Sequence, residues 1–144
     1  MNRDRRRSQT GVTLIEFAMV LPFLFVLTFV VIDLSRAFYL KSLVTAAARE
    51  GARVAAVTPD PTGADKDSVT ARVSRVLSPM VGGTYALSAP TVTVTVDGVV
   101  GDETTKVIVT STFSWLYLGL FNVFGASGFT NPQTLTASSV MRYE

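Results

Sequence analysis

Hydrophobic and polar positions follow three different rules along this chain. From Val12 to Ile32 the run VTLIEFAMVLPFLFVLTFVVI is apolar at nearly every position, with Glu16 as its one charge. Written as a helix at 1.5 Å per residue it measures about 31 Å, close to the roughly 30 Å hydrocarbon core of a bilayer. It reads as one membrane pass. From Asp33 onward the apolar positions thin to a stripe: Ala37, Leu40, Val44, Ala47, Gly51 and Val54 recur at spacings of three or four, the signature of one helix face. No proline interrupts this second pattern until Pro59. The two patterns therefore predict one helix from about Val12 to Val57, roughly 68 Å long and twice what a bilayer needs.

A third rule takes over further on. Thr58-Pro59-Asp60-Pro61-Thr62-Gly63 breaks the helical pattern and marks a loop or domain entry. Asp65 to Leu77 then carries Val69, Val73, Val76 and Leu77 on one face, with acidic residues in the first turn and Arg72 and Arg75 later, as a helix dipole favours. Beyond Pro79 and Gly82-Gly83 the period falls to two. Residues 91–98, TVTVTVDG, alternate threonine with valine, as a strand with one dry and one wet face does. Residues 104–114 repeat that character, and Asp97-Gly98 with Gly101-Asp102 supplies a turn between them, giving an antiparallel hairpin. A last strand is predicted over about Gln133 to Tyr143. Between them, WLYLGLFNVFGASGF is apolar without clear period, a short helix or a loop over the sheet. Its aromatics, Trp115, Tyr117, Phe121, Phe124 and Phe129, are read as core in preference to an exposed patch.

The fold class that follows is α+β. A long N-terminal helix runs from the membrane into the extracytoplasmic space, and it carries a small antiparallel sheet of about three strands with one packed helix. In domain terms, residues 1–11 form a basic leader, 12–32 a transmembrane helix, 33–57 its extracytoplasmic extension and 58–144 a small α+β domain.

Composition sharpens this picture chiefly by exclusion. The 144 residues are 48% hydrophobic and 17% charged, against about a quarter charged in soluble chains. The net charge of +2 suggests an acidic partner until its location is noted: Arg3, Arg5, Arg6 and Arg7 all precede Gly11, and without residues 1–11 nine positive charges face ten negative ones. That removes the case for a nucleic-acid face, which needs basic residues gathered on the folded part. Cysteine and histidine are both absent. Disulfides, thiolate metal sites, the commonest zinc ligands, and Ser-His-Asp or Cys-His nucleophile systems are thereby excluded, so neither an enzyme nor a cofactor is expected.

The leader MNRDRRRSQT ends at Gly11, and clustered arginines beside a membrane span hold that end in the cytoplasm. An ordinary secretory signal has an apolar region of about 7 to 15 residues followed promptly by a small-residue cleavage site. Here the nearest such site, Ala46-Ala47-Ala48, lies beyond Asp33, Arg36 and Lys41. A basic leader, a terminal glycine and a glutamate at the fifth position of the apolar run together resemble a class III signal of type IV pilins. The resemblance implies that prepilin peptidase cuts after Gly11, leaving Val12 as the new N-terminus. It also implies that Glu16 pairs with the freed amine of its own or an adjacent subunit. A carboxylate in hydrocarbon costs several kcal/mol unless paired, so the plain alternative is that Glu16 sits near the headgroups of an ordinary anchor. Pro22, inside the span, removes one backbone donor. It is read equally as a flexible point for extraction or packing and as a tolerated kink.

Further matches narrow the resemblance. Ile15-Glu16-Phe17-Ala18 followed by Leu21-Pro22, then Ala47-Ala48-Arg49-Glu50-Gly51-Ala52-Arg53, and a terminal LTASSVMRYE resemble the TadE family of pseudopilins. These are minor components of the tight-adherence, or Flp, pilus apparatus. Within that central motif Arg49 and Arg53 share a face and Glu50 can pair with Arg53 at i+3, in a pattern that a solvated helix face explains nearly as well as an assembly contact. Gly51 is more telling. Glycine costs about 1 kcal/mol inside a helix, which points to the close approach of another backbone.

The resemblance thus implies a single-pass protein of a bacterial cytoplasmic membrane, N-terminus inside, acting as a minor subunit or assembly factor of a pilus. Its implied partners are prepilin peptidase, other pilins or pseudopilins, inner-membrane pilus assembly proteins and membrane lipid. The competing expectation is an uncleaved, anchored extracytoplasmic binding module.

Overall fold

A computed structural model describes residues 3–82, 87–98, 103–117 and 132–142, and the side chains of residues 3–10 lie outside that description. One helix, α1, runs from Arg3 to Ala55, followed by α2 from Lys66 to Leu77, a single 3-10 turn at Ser78–Met80, and strands β1 at Thr91–Asp97, β2 at Thr104–Phe113 and β3 at Gln133–Arg142. The α+β class is as the sequence predicts.

The sheet is antiparallel in the order β1-β2-β3. In β1, Val92 and Val94 face inward while Thr91 and Thr93 face water. β2 is the central strand, and Thr105, Val107, Val109, Ser111 and Phe113 all point into the core from alternate positions. Its register sets Val109 opposite both Val92 and Ala137, so three strands contribute to one apolar layer. Asp97 and Gly98 begin the β1–β2 turn as expected. Gly98 has φ +132°, a region that residues with a Cβ rarely enter. Gly83, Gly101, Asp102, Phe121, Phe124, Phe129 and Tyr143 lie outside the described residues.

The outer half of α1 lies on this layer. Leu40, Val44, Ala47, Gly51 and Ala55 are buried, and Ala37 and Val54 pack partly against the core. The predicted stripe therefore packs on the chain's own domain. α2 closes the other side of the helix with Val69, Val73 and Leu77 buried. Two boundaries of α1 differ from expectation. The helix starts at Arg3 and not at Val12, because apolar periodicity registers only the part with a face to bury, whereas arginine and glutamine are good helix formers without one. It stops at Ala55 because the last turn tightens: the amides of Val57 and Thr58 donate to Val54 and Ala55, and the Thr58 hydroxyl donates to Val54 O at 2.7 Å. The loop that follows is tied by the Asp60 carboxylate, which accepts the amides of Gly63 and Ala64 at 2.9 and 3.0 Å. Those bonds hold Asp60 below the usual carboxylate range, Ala64 contributing most.

Candidate functional site

Every large apolar residue from Val12 to Leu27 that faces outward does so without cover: Leu14 is 69% exposed, Met19 77% and Phe23 69%. No stripe is protected, so nothing among the described residues accounts for the apolar character of this half of α1. A helix apolar all round belongs in lipid or among other apolar helices. Within it Glu16 is exposed and makes no hydrogen bond or ion pair with another described residue. The helix is continuous through Pro22, whose ring leaves the carbonyl of Ala18 without its usual helical donor.

Gly11 sits on the same exposed wall. A Cβ built there meets nothing within 4 Å, and its φ is not positive. Neither packing against the described residues nor backbone strain requires glycine at this position.

The AAREGAR segment behaves in the opposite way. A Cβ at Gly51 would lie 2.7 Å from Cγ2 of Val73 and 3.2 Å from Cγ1 of Val107. The sequence predicts the close approach of another backbone here; what crowds Gly51 instead are valine side chains from α2 and β2 of the same chain. Glu50 accepts from Arg53 Nη2 at 2.8 Å and from Arg72 Nε at 2.7 Å, and Arg72 Nη2 bonds the same carboxylate oxygen. These arginines, Arg53 first and Arg72 second, lower the Glu50 pKa from 4.5 to about 2. Sequence reading anticipated the Arg53 bond at i+3. It missed Arg72, which comes from α2 and makes Glu50 the ionic link between the two helices. Arg49 points outward and is exposed.

A second link lies at the other end of the domain. Asp33, the first residue after the apolar run, is 1% exposed, and its carboxylate accepts the amides of Leu116 at 3.3 Å and Tyr117 at 2.7 Å. One turn on, Arg36 Nη1 donates to the carbonyl of Ser114 at 3.1 Å. The Tyr117 ring then stacks on Phe29 with centroids 4.6 Å apart and planes 12° apart. Asp33 and Arg36 carried a signal, being an i, i+3 pair of opposite charges placed where the apolar run ends. Their partners were hidden because they lie some eighty residues downstream.

Comparison with known protein families bears on the helix that both links grip. Residues 11–53 match the family model described as TadE-like protein. The chain carries a TadE-like N-terminal helix. The helix that carries this match is long and apolar enough to cross a membrane. The matched span begins at Gly11 and ends at Arg53, so it takes in the exposed apolar wall and the domain-packed stripe together. No curated protein and no solved structure matches the chain.

Proposed function

We propose that this chain is a pseudopilin of a tight-adherence pilus: a prepilin peptidase substrate cut between Gly11 and Val12, which serves as a minor subunit or assembly factor and not as an enzyme. The observation that carries the proposal is the contrast between Gly11, Glu16 and the apolar wall on one side and Gly51 on the other. Gly51 has an internal reason to be glycine. Among the described residues Gly11 has none and Glu16 has no partner, so both are read as serving molecules outside the chain. A peptidase that must approach the backbone closely would favour glycine before the cut. The amine released at Val12, one turn from Glu16, would supply a partner for a carboxylate that is costly to leave alone in hydrocarbon.

In this reading the leader stays in the cytoplasm, α1 crosses the cytoplasmic membrane once, and residues 33–144 lie outside it. Other pilins or pseudopilins and inner-membrane assembly proteins contact the wall from Val12 to Leu27, with Pro22 among them, and Arg49 and Arg53 are the outward cations of the upper helix. The test is the intact mass of the mature protein in a strain with active prepilin peptidase. A mass beginning at Val12, reverting to Met1 in Gly11→Val, is expected. A mass beginning at Met1 in both forms would favour an uncleaved anchored binding module.

A further inference from the structure

The segment Ser114–Tyr117 is held against α1 at the level where the apolar run ends, and that position gives it a second relation to the membrane. Along the helix, at 1.5 Å per residue, Phe29 lies about 4.5 Å inside Ile32, and Asp33, Leu34, Phe38 and Lys41 lie roughly 1.5, 3, 9 and 14 Å beyond it. Tyr117 stacks on Phe29, so its ring reaches back over the membrane-spanning part of the helix. The amides of Leu116 and Tyr117 stand at the boundary itself. Unpaired backbone donors at that depth would be costly, because hydrocarbon offers no hydrogen bonds, and both amides donate to the buried Asp33 carboxylate.

Above Tyr117 a groove opens between α1 and the end of the sheet, lined by Leu34, Phe38, Lys41, Phe113, Trp115 and Leu135. Its mouth is uncovered: Leu34 is 47% exposed and Phe38 68%. Trp115 packs edge-to-face on Phe113, with centroids 4.8 Å apart. Among the described residues of the lining the charged one is Lys41, whose ammonium donates one hydrogen bond to the carbonyl of Thr136 and keeps two donors, and Tyr39, 52% exposed, stands beside Phe38 in sequence. A tryptophan, a tyrosine and exposed apolar side chains with a lysine just above them make up the composition found where proteins meet the headgroup layer.

We propose that this face, Leu34, Phe38, Trp115 and Tyr117 with Lys41 at its upper edge, lies in the headgroup layer of the same bilayer that α1 crosses. The small domain then rests on the membrane surface in place of standing clear of it. Asp33 and Arg36 act as positioning residues that hold the 114–117 segment at that depth. The occupant is lipid because exposed Leu34 and Phe38 follow the exposed apolar residues Val31 and Ile32 on the same helix, and because the lysine at the groove's edge suits phosphate headgroups. This inference rests on the membrane-anchor reading of residues 12–32.

Trp115 is the chain's only tryptophan, so its native fluorescence reports the face directly. The full chain is reconstituted, at one copy per several vesicles, into phosphatidylethanolamine/phosphatidylglycerol vesicles containing lipids brominated near the headgroup end or near the methyl end of the acyl chain. Shallow bromines are expected to quench Trp115 roughly twofold more than deep ones, as burial to about 5–10 Å at the headgroup boundary requires. Acrylamide in the water should quench it weakly, and Asp33→Ala should raise acrylamide quenching while the protein still floats with the vesicles. Flotation with no bromine quenching and strong acrylamide quenching would overturn the inference while leaving the anchor intact. Failure to float with vesicles would overturn the anchor reading and this inference with it.

Discussion

The two halves of α1 have the same backbone and opposite relations to their surroundings. From Val12 to Leu27 apolar side chains point in every direction and are exposed, whereas from Leu40 to Ala55 a single stripe is buried against α2 and the sheet. Each half contains one glycine that sequence reading singled out. Gly51 is wedged between Val73 and Val107, and a Cβ at Gly11 would meet no described residue within 4 Å. The difference separates a glycine whose described neighbours forbid replacement from one that no described neighbour constrains, and the proposed role of Gly11 toward a peptidase rests on that difference.

This comparison is broken most severely by filling the space at Gly51. A Cβ at 2.7 Å from a β-branched valine cannot be relieved by a flexible side chain, so the gain of up to about 1 kcal/mol in helix propensity is outweighed by overpacking. Gly51→Leu is expected to destabilise the domain by about 3 kcal/mol in denaturant unfolding. Gly11→Ala, measured in the same way, should leave domain stability unchanged. Next in size is Asp33→Ala, which leaves the amides of Leu116 and Tyr117 without their acceptor and should cost about 2 kcal/mol, with faster hydrogen exchange at those two amides.

A smaller effect is expected from the Glu50 link. Its pKa is depressed in the folded chain from 4.5 to about 2, so the unfolded state takes up the proton first as pH falls. The stabilisation is fully present above about pH 4.5 and is lost progressively as pH drops toward 2. Exchange protection of α2 should fall over that window in the wild type and fall less in Glu50→Gln, where Asp60 still titrates, and Arg49→Ala should leave the profile unaltered. The smallest effect sharpens the comparison from the other side. Glu16→Ala should not change domain unfolding at all, yet should reduce pilus assembly; wild-type assembly in that variant would remove the pairing role proposed for Glu16.

How much of this was legible in the sequence follows from which signals are periodic. The Thr/Val alternation in β1, the valines of α2 and the stripe from Ala37 to Val54 repeat at the spacing of the element they build, and all three are where the pattern predicts. The apolar run likewise announces a helix whose residues from Val12 to Leu27 are left largely uncovered by the described residues. Periodicity does not carry pairings between distant segments. Nothing local to Glu50 names Arg72, and nothing local to Asp33 names Tyr117, since each pairing depends on the turn at residues 58–65 or on the return of the chain from the sheet. Nor does a glycine in a helix state whether its close neighbour is internal. The crowding at Gly51 comes from the side chains of Val73 and Val107 and not from another backbone, and only the packed domain identifies them.

The central claim is that the N-terminal half of α1 is built for contact with other subunits while the outer half is held by its own domain. The absence of cysteine from the chain makes a single-cysteine crosslinking scan in assembling cells the most direct measurement. Cysteines replacing Leu14, Ile15 or Phe23, all exposed on the wall, should each form crosslinks to other pilus subunits, and these should be lost when the peptidase is absent. If none of the three crosslinks in a strain that assembles pili, the account is contradicted.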